Sequence, residues 1–595
     1  MRTRPLVVGA LMTLAAGAAA PHGLPPAFGP ADQARTAADP RVRTYLTATR
    51  VVWTSDASGT HVENANRLLL PGTGQAELVN RSPAVLRSDA NHTAGLLLDF
   101  GREINGSVQL VTGMWDSKKP LRVRIRFGES VSEAMADLGT AANATNDHAI
   151  RDQTVSLPWL GEIEVGGSGF RFVRIDLLDT VEQLLLKDVR AVFSYRDLPY
   201  LGSFRSSDER LNEIWMTGAY TVQLNMQGYL WDGIKRDRLV WVGDLHPEVM
   251  TIASVFGDNE VVTRSLDQAR DAAPLPEYMN GISSYSMWWI LLQRDWYRLR
   301  GDIAYLREQK TYLKGLLDQL MARVQDGREK LDGWRFLDWS TEGRPGAVNA
   351  GLQALLVMSL EAGADLSMLL DDPSTAARCR ATVAQLKRHV PSAEGSKQAT
   401  ALQSLAGMID ARRANRVLAL DGAAGFSTFY GYYILQAKAL AGDYDGALAD
   451  IRNYWGGMLD LGATTFWEDF DLEWLENAAR IDELVPPGRI DVHASYGRHV
   501  YKGFRMSLAH GWASGPTSWL TQHVLGVHLM EAGARVIRVE PHLGDLTFVE
   551  GTFPTPHGIV EIRHTREADG SIRSTVKAPD AVRIVMSEGV RATPE

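Results

Sequence analysis

The sequence predicts a multidomain protein: an (α/α)6 toroid with an antiparallel β-sandwich before it and another after it. Short β-like runs punctuated by glycine occupy about 45–200, and the stretch from 536 onward returns to the same texture. Between them, apolar residues recur at helical spacing in roughly a dozen segments, which most simply close into a two-layered ring of hairpins.

In order, residues 1–20 read as an export signal. Arg2 and Arg4 precede the apolar run 6–14, and the small residues 15–20 follow it. The protein is therefore expected to be exported, to the periplasm or beyond. Residues 21–44, rich in Pro and Ala, read as a linker. Residues 45–201 form the first sandwich, of jelly-roll type, with strands expected at 94–100, 108–111, 121–127, 154–157 and 170–177. The run 121–127 alternates Leu-Arg-Val-Arg-Ile-Arg-Phe, as a strand buried on one face should, and Gly166, Gly167 and Gly169 are expected to punctuate the strands.

The helical domain is expected over 202–535. Ser207-Asp208-Glu209-Arg210 is a capped helix start, and further helices are expected at 259–272, 283–300, 303–324, 347–364, 374–389, 397–413, 428–441, 445–459 and 516–531. Residues 536–595 form the closing sandwich, with strands expected near 546–549, 559–563, 571–576 and 582–586.

Composition narrows the function. Net charge is −9 over 595 residues with no long basic run, so nucleic acid is not an expected partner. Beyond the N-terminal segment no stretch has the roughly 18 consecutive apolar residues of a membrane span. Cys379 is the single cysteine, which excludes an intrachain disulfide and a zinc site built mainly from thiolates. No His/carboxylate cluster stands out, and no Gly-x-Ser-x-Gly elbow, phosphate loop or His-Glu-x-x-His is present, so no metal or cofactor is expected.

The unusual residues sit in loops of the helical region. The stretch 231–248 holds Asp232, Asp237 and Asp244 among Lys235, Arg236, Arg238, Trp231 and Trp241. Alone it is also consistent with a helix start bearing solvated charges. Three more loops set an acid or histidine beside an indole: Trp467-Glu468, Asp338-Trp339 and His510-Gly511-Trp512; Met287-Trp288-Trp289 is a fifth, weaker cluster. Acids that take hydroxyls and indoles that take apolar ring faces suit a polyhydroxylated ligand. Two carboxyl groups in one cleft suit glycoside hydrolysis, one protonating the leaving oxygen and the other activating water or attacking. Arg236, Trp289 and Trp467 are candidate substrate-binding residues on this reading.

These residues resemble the bacterial α-L-rhamnosidases of glycoside hydrolase family 78. The family's Asp-Cys-Pro-x-Arg-Glu, followed by Gly-Trp-Thr-Gly-Asp, is matched at the same spacing by Asp232-Gly233-Ile234-Lys235-Arg236-Asp237 and Val240-Trp241-Val242-Gly243-Asp244. Its Ala-Thr-Thr-x-Trp-Glu turn is matched by Ala463 to Glu468, its Asp-Trp pair by Asp338-Trp339 and its late histidine by His510. Gly169 to Arg174 and Gly551 to Gly558 resemble the family's late N-terminal strand and the entrance to its closing β-domain.

The resemblance implies inverting hydrolysis of α-L-rhamnosides, with Asp237 as general acid and Glu468 as general base. It also implies that Asp232, Asp244 and Asp338 hold sugar hydroxyls and that Trp241, Trp339 and His510 line the sugar pocket. Inversion requires the catalytic carboxyls to stand about 6.5–9.5 Å apart. Two departures are visible: Gly233-Ile234 replaces Cys-Pro, and Asp237 is one methylene shorter than the family's Glu, which keeps Asp232 open as proton donor. Two other functions remain open: a related glycosidase acting on another sugar, such as a uronic-acid-containing glycan, and a carbohydrate-binding protein without turnover. The oligomeric state is not legible.

Overall fold

A computed structural model describes residues 39–592 apart from 80, 141, 181, 498–501 and 588–589. The expected export signal and most of the expected linker lie outside the described residues.

Nine strands form the first sheet: β1 (Arg41–Thr47), β2 (Arg50–Thr54), β3 (Val62–Glu63), β4 (Ala84–Arg87), β5 (Gly95–Thr112), β6 (Leu121–Gly128), β7 (Asp152–Leu157), β8 (Glu162–Leu177) and β9 (Gln183–Arg196). Their order is β3-β4-β9-β5-β8-β6-β7, with β1 added on β9 and β2 on β5. Every pairing is antiparallel. The runs expected at 94–100 and 108–111 are two halves of one long strand, β5, whose register with β8 shifts between Asp99 and Ile104 and again between Gly106 and Ser107. The glycine run 166–169 does not separate strands as expected. It lies inside β8, where a side chain at Gly166 would meet Ser107 and Phe127, and one at Gly169 would meet Ile234. These glycines permit close approach rather than a turn.

The alternation of β6 holds at its start and then gives way to continuous burial, because Arg126 is covered and paired with Asp176 at 2.7 Å. What covers that face is a short helix, α1 (Val131–Met135), capped by the Ser130 side chain. The sheet has its own core, built on Leu96, Leu98, Val123, Ile125, Phe170 and Val173.

The helical region opens with α2 (Glu209–Asn225), capped by Asp208 at the amides of Arg210 and Leu211 as expected. There follow α3 (Leu245–Val255), α4 (Glu260–Asp271), α5 (Ser283–Arg300), α6 (Ile303–Ala322) and α7 (Pro345–Leu369), then helices Pro373–Leu386, Lys397–Leu405, Ala411–Leu418, Gly431–Leu440 and Tyr444–Asp460. The segment expected as one helix over 397–413 is two, broken where Gly407 takes a φ of 60° and Asp410 caps the second. The helix expected over 516–531 stops early. A short helix, Gly515–Trp519, widens into an i→i+5 turn over Leu520–Val524, and the chain reverses at Gly526 with a φ of 80°. A side chain there would strike the Glu540 carbonyl carbon at 2.7 Å.

The end of the chain is β again. Phe548–Thr555, Gly558–Arg566 and Ile572–Lys577 extend one sheet, whose edge is Ser203–Ser206, the residues that enter the helical region. Val527–Leu529 pairs with Val536–Val539 in a second, small sheet. Val549, Val560 and Ile562 share one continuous core with the helices. The closing sheet is thus bonded to the helical region by strand pairing and by burial, whereas the first sheet keeps a separate core.

Candidate active site

Five loops converge at one end of the helices. Asn280 accepts the Val242 amide and donates to the Val240 carbonyl, joining 231–243 to the loop after α4. Ile282 pairs with Trp334, and Tyr278 donates to Asp332 at 2.9 Å, which adds the loop after α6. Gly233 pairs with His510, while His510 and Glu468 exchange backbone bonds with Phe466 and Ser507, which adds the last two.

The 231–243 segment is not a helix start; α3 begins only at Leu245. It is a folded loop shaped by Asp232, whose Oδ2 accepts the Asp237 amide at 2.7 Å and whose Oδ1 accepts the Leu239 amide at 2.9 Å. Gly233 is required by contact, since a side chain there would meet the Arg236 and Ala509 carbonyls. Ile234 fills an apolar nook with Leu224 and Ala509, and its carbonyl accepts the Gly169 amide of β8. The Gly-Ile pair is therefore fitted to its surroundings.

Asp232, Glu468 and His510 face one another. His510 Nε2 lies 3.8 Å from Asp232 Oδ2 and 4.0 Å from Glu468 Oε1. Those gaps are too long for direct bonds and suit a bridging water or sugar hydroxyl. His510 Nδ1 is buried without a hydrogen-bond partner among the described residues. Burial, aided by Arg236, holds the imidazole neutral, well below its ordinary pKa. The ring lies 4.3 Å from that of Trp512.

The electrostatics of this cluster are dominated by burial. It pushes Glu468 up to about 8, against the pull of Arg236 and of the Ser507 amide, which donates to Glu468 Oε2 at 2.8 Å. It pushes Asp232 up to about 7, reinforced by the charge of Asp237. Asp237 forms a buried ion pair with Arg236 at 3.0 Å, and His148 Nε2 stands 3.4 Å from the same oxygen. Asp244 is buried next to these acids, well above the usual carboxylate range, and accepts from the Tyr285 hydroxyl at 3.3 Å. Trp241 is half-buried and meets Tyr285 edge to face.

A cavity of about 180 Å³ opens beside Glu468, lined by Asp338, Trp339, Asp469 and Trp512. Asp338 Oδ2 accepts from Ser340 and Ser427 at 2.5 and 2.6 Å, and burial holds its carboxyl at about 6. Asp469 is pushed up to about 7 by burial and by Asp338. Thr428 and the Trp512 indole both donate to the Glu468 carbonyl, which fixes the turn that carries the acid.

Asp232, Asp237, Asp244, Asp338, Glu468, Trp241, Trp339, Arg236 and His510 thus all lie at this end of the molecule. Two expectations fail. Trp289 is fully buried and donates to the Leu266 carbonyl at 3.1 Å, and Trp467 is fully buried edge-on to Phe470. Both belong to the helical domain's core, and neither lines the cavity beside Glu468.

The site also holds residues that sequence reasoning gave no role: Asp469, Tyr285, His148, Ser427 and Glu248. Glu248 is fully buried, accepts from Asn225 at 3.3 Å and is raised by burial and Asp244. Asp469 could have been found, being the next residue to Glu468. His148 and Ser427 could not, since nothing in their local sequence marks them.

Lys235 is held by buried partners. Its ammonium is buried 2.9 Å from Glu129 and 3.2 Å from Glu133, and it donates to the carbonyls of Phe504 and Met506. Glu129, Glu133 and His493 bring their ligand-type atoms within 4.8 Å of one another, a cluster the sequence hid because its members are far apart. Lys235 supplies its positive charge, and His493 is engaged by Ser130 and the Met506 carbonyl.

With this geometry in view, the chain matches two family models. Residues 199–420 match the bacterial alpha-L-rhamnosidase six-hairpin glycosidase domain, and residues 526–587 match the bacterial alpha-L-rhamnosidase C-terminal domain. The helical region from its start to 420 and the closing sheet region are thus similar to two domains of bacterial alpha-L-rhamnosidases.

Solved structures agree on the fold. A glycoside hydrolase family 78 rhamnosidase of Bacillus sp. GL1 is 21% identical with a TM-score of 0.72, over 88% of this chain and 56% of that one. A rhamnosidase from Klebsiella oxytoca with rhamnose bound is 21% identical with a TM-score of 0.64, over 82% and 97%. A Streptomyces avermitilis alpha-L-rhamnosidase complexed with L-rhamnose is 18% identical with a TM-score of 0.63, over 85% and 50%. The chain thus spans 56% of the length of the Bacillus enzyme. No curated protein matches the sequence significantly.

Proposed function

We propose that the protein is an exported glycoside hydrolase that releases terminal α-L-rhamnosyl residues with inversion. The observation that carries this is the arrangement of Glu468. It lies across His510 from Asp232 and also on the wall of a cavity of about 180 Å³, the scale of one monosaccharide, lined by further acids and indoles. Rhamnose bound in two structures of the same fold supports that sugar as the one released. The N-terminal export pattern supports an exported protein. A closed (α/α)6 ring would hold the five loops at one mouth, and a β-sandwich on either side would buttress it.

The chemistry is a single displacement. Asp237 gives its proton to the glycosidic oxygen as the bond from the anomeric carbon to that oxygen breaks. Glu468 takes a proton from water as the water oxygen bonds to the opposite face of that carbon, so the sugar leaves with inverted configuration. Both carboxyl forms are regenerated when Glu468 loses and Asp237 regains a proton from solvent. Asp232 is the weaker donor candidate, because both of its oxygens are engaged by backbone amides that shape the loop. Asp338, Asp469 and the neutral His510 bind hydroxyls, and Trp339 and Trp512 take the apolar face with the sugar's methyl group.

The test is hydrolysis of p-nitrophenyl α-L-rhamnoside beside a panel of other p-nitrophenyl glycosides, for the wild type and Glu468→Gln. Release from the rhamnoside alone is expected, with a loss of about a thousandfold in the variant. Sugar binding with no release from any glycoside would identify a binding protein instead.

A further inference from the structure

We propose that His148, which the first sheet delivers to the cleft, is a positioning residue for Asp237. Its Nε2 N–H holds Oδ1 of that carboxyl as an acceptor, so the proton to be donated sits on Oδ2. The proposal rests on the reading of Asp237 as the acid and names what orients it.

His148 lies in the stretch 142–151, between α1 and β7, outside the helical region. Both the sheet and the helical region hold that stretch in place. Asn146 ties it to the start of β7. Its side-chain oxygen accepts the Arg151 and Asp152 amides at 3.1 and 3.0 Å, and its nitrogen donates to the Asp152 carbonyl at 2.8 Å. On the other side, the Ala142 carbonyl accepts the Phe504 amide at 2.8 Å, and Asp147 Oδ2 accepts two N–H groups of Arg505. The approach is close enough that a side chain at Gly503 would strike the Ala142 carbonyl oxygen. Phe504 and Arg505 belong to the chain that runs on to His510, so one docking contact joins the stretch to the site.

The backbone at His148 is left-handed, with a φ of 61°, which is costly for a residue with a side chain. In that conformation Nε2 stands 3.4 Å from Asp237 Oδ1. The ring's other acidic neighbour, Asp147 Oδ2, is farther away at 3.8 Å and is already engaged by Arg505. Asp237 Oδ1 is buried and makes no hydrogen bond among the described residues. Arg236 faces it at 3.0 Å as an ion-pair partner without an aligned N–H. A buried acceptor left unsatisfied is costly, and His148 is in position to supply the donor. Contacts of this kind are often long in the free enzyme and tighten when substrate binds.

The consequence follows from how a carboxyl group divides its tasks. When protonated, it has one O–H and one oxygen that only accepts. Donors converging on Oδ1 reserve that oxygen as the acceptor and leave the proton on Oδ2. Asp237 has a short side chain, so fixing one oxygen also fixes where the other points. As the glycosidic bond breaks, the Oδ2 proton passes to the departing oxygen. Asp237 is left as a carboxylate facing the same donors until solvent returns a proton. His148 neither gains nor loses a proton in the step.

The experiment measures kcat and KM on methyl and p-nitrophenyl α-L-rhamnoside for the wild type, His148→Ala, His148→Gln and Asp237→Asn. p-Nitrophenolate departs as a stable anion and needs little help from an acid, whereas methoxide must be protonated as it leaves. His148→Ala should lower kcat/KM on the methyl glycoside about tenfold more than on the nitrophenyl one, mainly through kcat. His148→Gln keeps an N–H that can reach Oδ1 and should recover most of that difference. The His148 ring is 29% exposed, so neither change empties a buried space, and both variants should melt with the wild type. Equal losses on the two substrates, or no loss on either, overturn the proposal. If Asp237→Asn is selective for the methyl glycoside and His148→Ala is not, the acid stands and only the role of His148 falls. If Asp237→Asn slows both substrates equally, Asp237 is not the acid and both readings fall.

Discussion

In the proposed mechanism Glu468 is the base, and its environment is unusual for one. Burial raises its carboxyl to about 8, which holds it mostly protonated at neutral pH. Since kcat/KM reports the ionisation of the free enzyme, a base of this kind must lose its proton before substrate can react productively. The rate should therefore rise with pH through about 8 as Glu468 ionises. A profile already flat above pH 5 would show that burial does not set this pKa. A fall through 8 would make Glu468 the acid and Asp237 the base. At this scale much was legible. Asp232, Asp237, Asp338, Glu468 and His510 stand out because short polar side chains among indoles are costly unless a ligand uses them. Trp289 and Trp467 misled for the converse reason, since an indole near an acid in sequence is as often aimed into the core.

At the scale of elements, the loop that carries Asp237 is held by a staple that no local pattern reveals. Lys235 reaches away from the cleft to Glu129 and Glu133, on and beside α1, and to the carbonyls of Phe504 and Met506. The same Glu129 accepts the Leu508 amide, so one buried cluster fixes both the loop of Asp237 and the strand of chain leading to His510. Removing the cation leaves two buried carboxyls to be neutralised by protonation. Lys235→Met should cost about 3–5 kcal/mol of stability. Part of that should return in the triple variant with Glu129→Gln and Glu133→Gln, read from urea melts. Additive effects across the three positions would argue against a single cluster. The sequence shows only that Lys235 lies beside Arg236, because its carboxylate partners lie a hundred residues earlier. The helix expected over 516–531 ends early for a similar reason: its apolar spacing persists, but the chain turns at Gly526, whose carbonyl accepts the Glu540 amide.

At the scale of the whole molecule, the first sheet serves the site although it keeps its own core. Besides the Lys235 staple, it grips the turn that leads to Glu468. Arg171 of β8 donates to the Gly462 carbonyl at 3.1 Å while pairing with Asp99, and the Glu103 amide donates to Thr464 at 2.9 Å. Arg171→Ala should thus lower kcat more than it raises KM, with a loss of about a hundredfold, the scale of a small misplacement of a catalytic group. An effect confined to thermal stability would show the sheet to be a passive neighbour. The sequence of textures, β then helical then β, was readable because alternation and helical periodicity leave different prints. The crossing contacts were not, because they join residues hundreds of positions apart, as when Ser203–Ser206 completes a sheet with Phe548–Thr555.

The central claim is displacement at the anomeric carbon by water that Glu468 activates. Proton NMR of the sugar first released from p-nitrophenyl α-L-rhamnoside tests it directly. The β anomer should appear first and then mutarotate. The α anomer appearing first would mean retention through a covalent intermediate and would contradict the assignment.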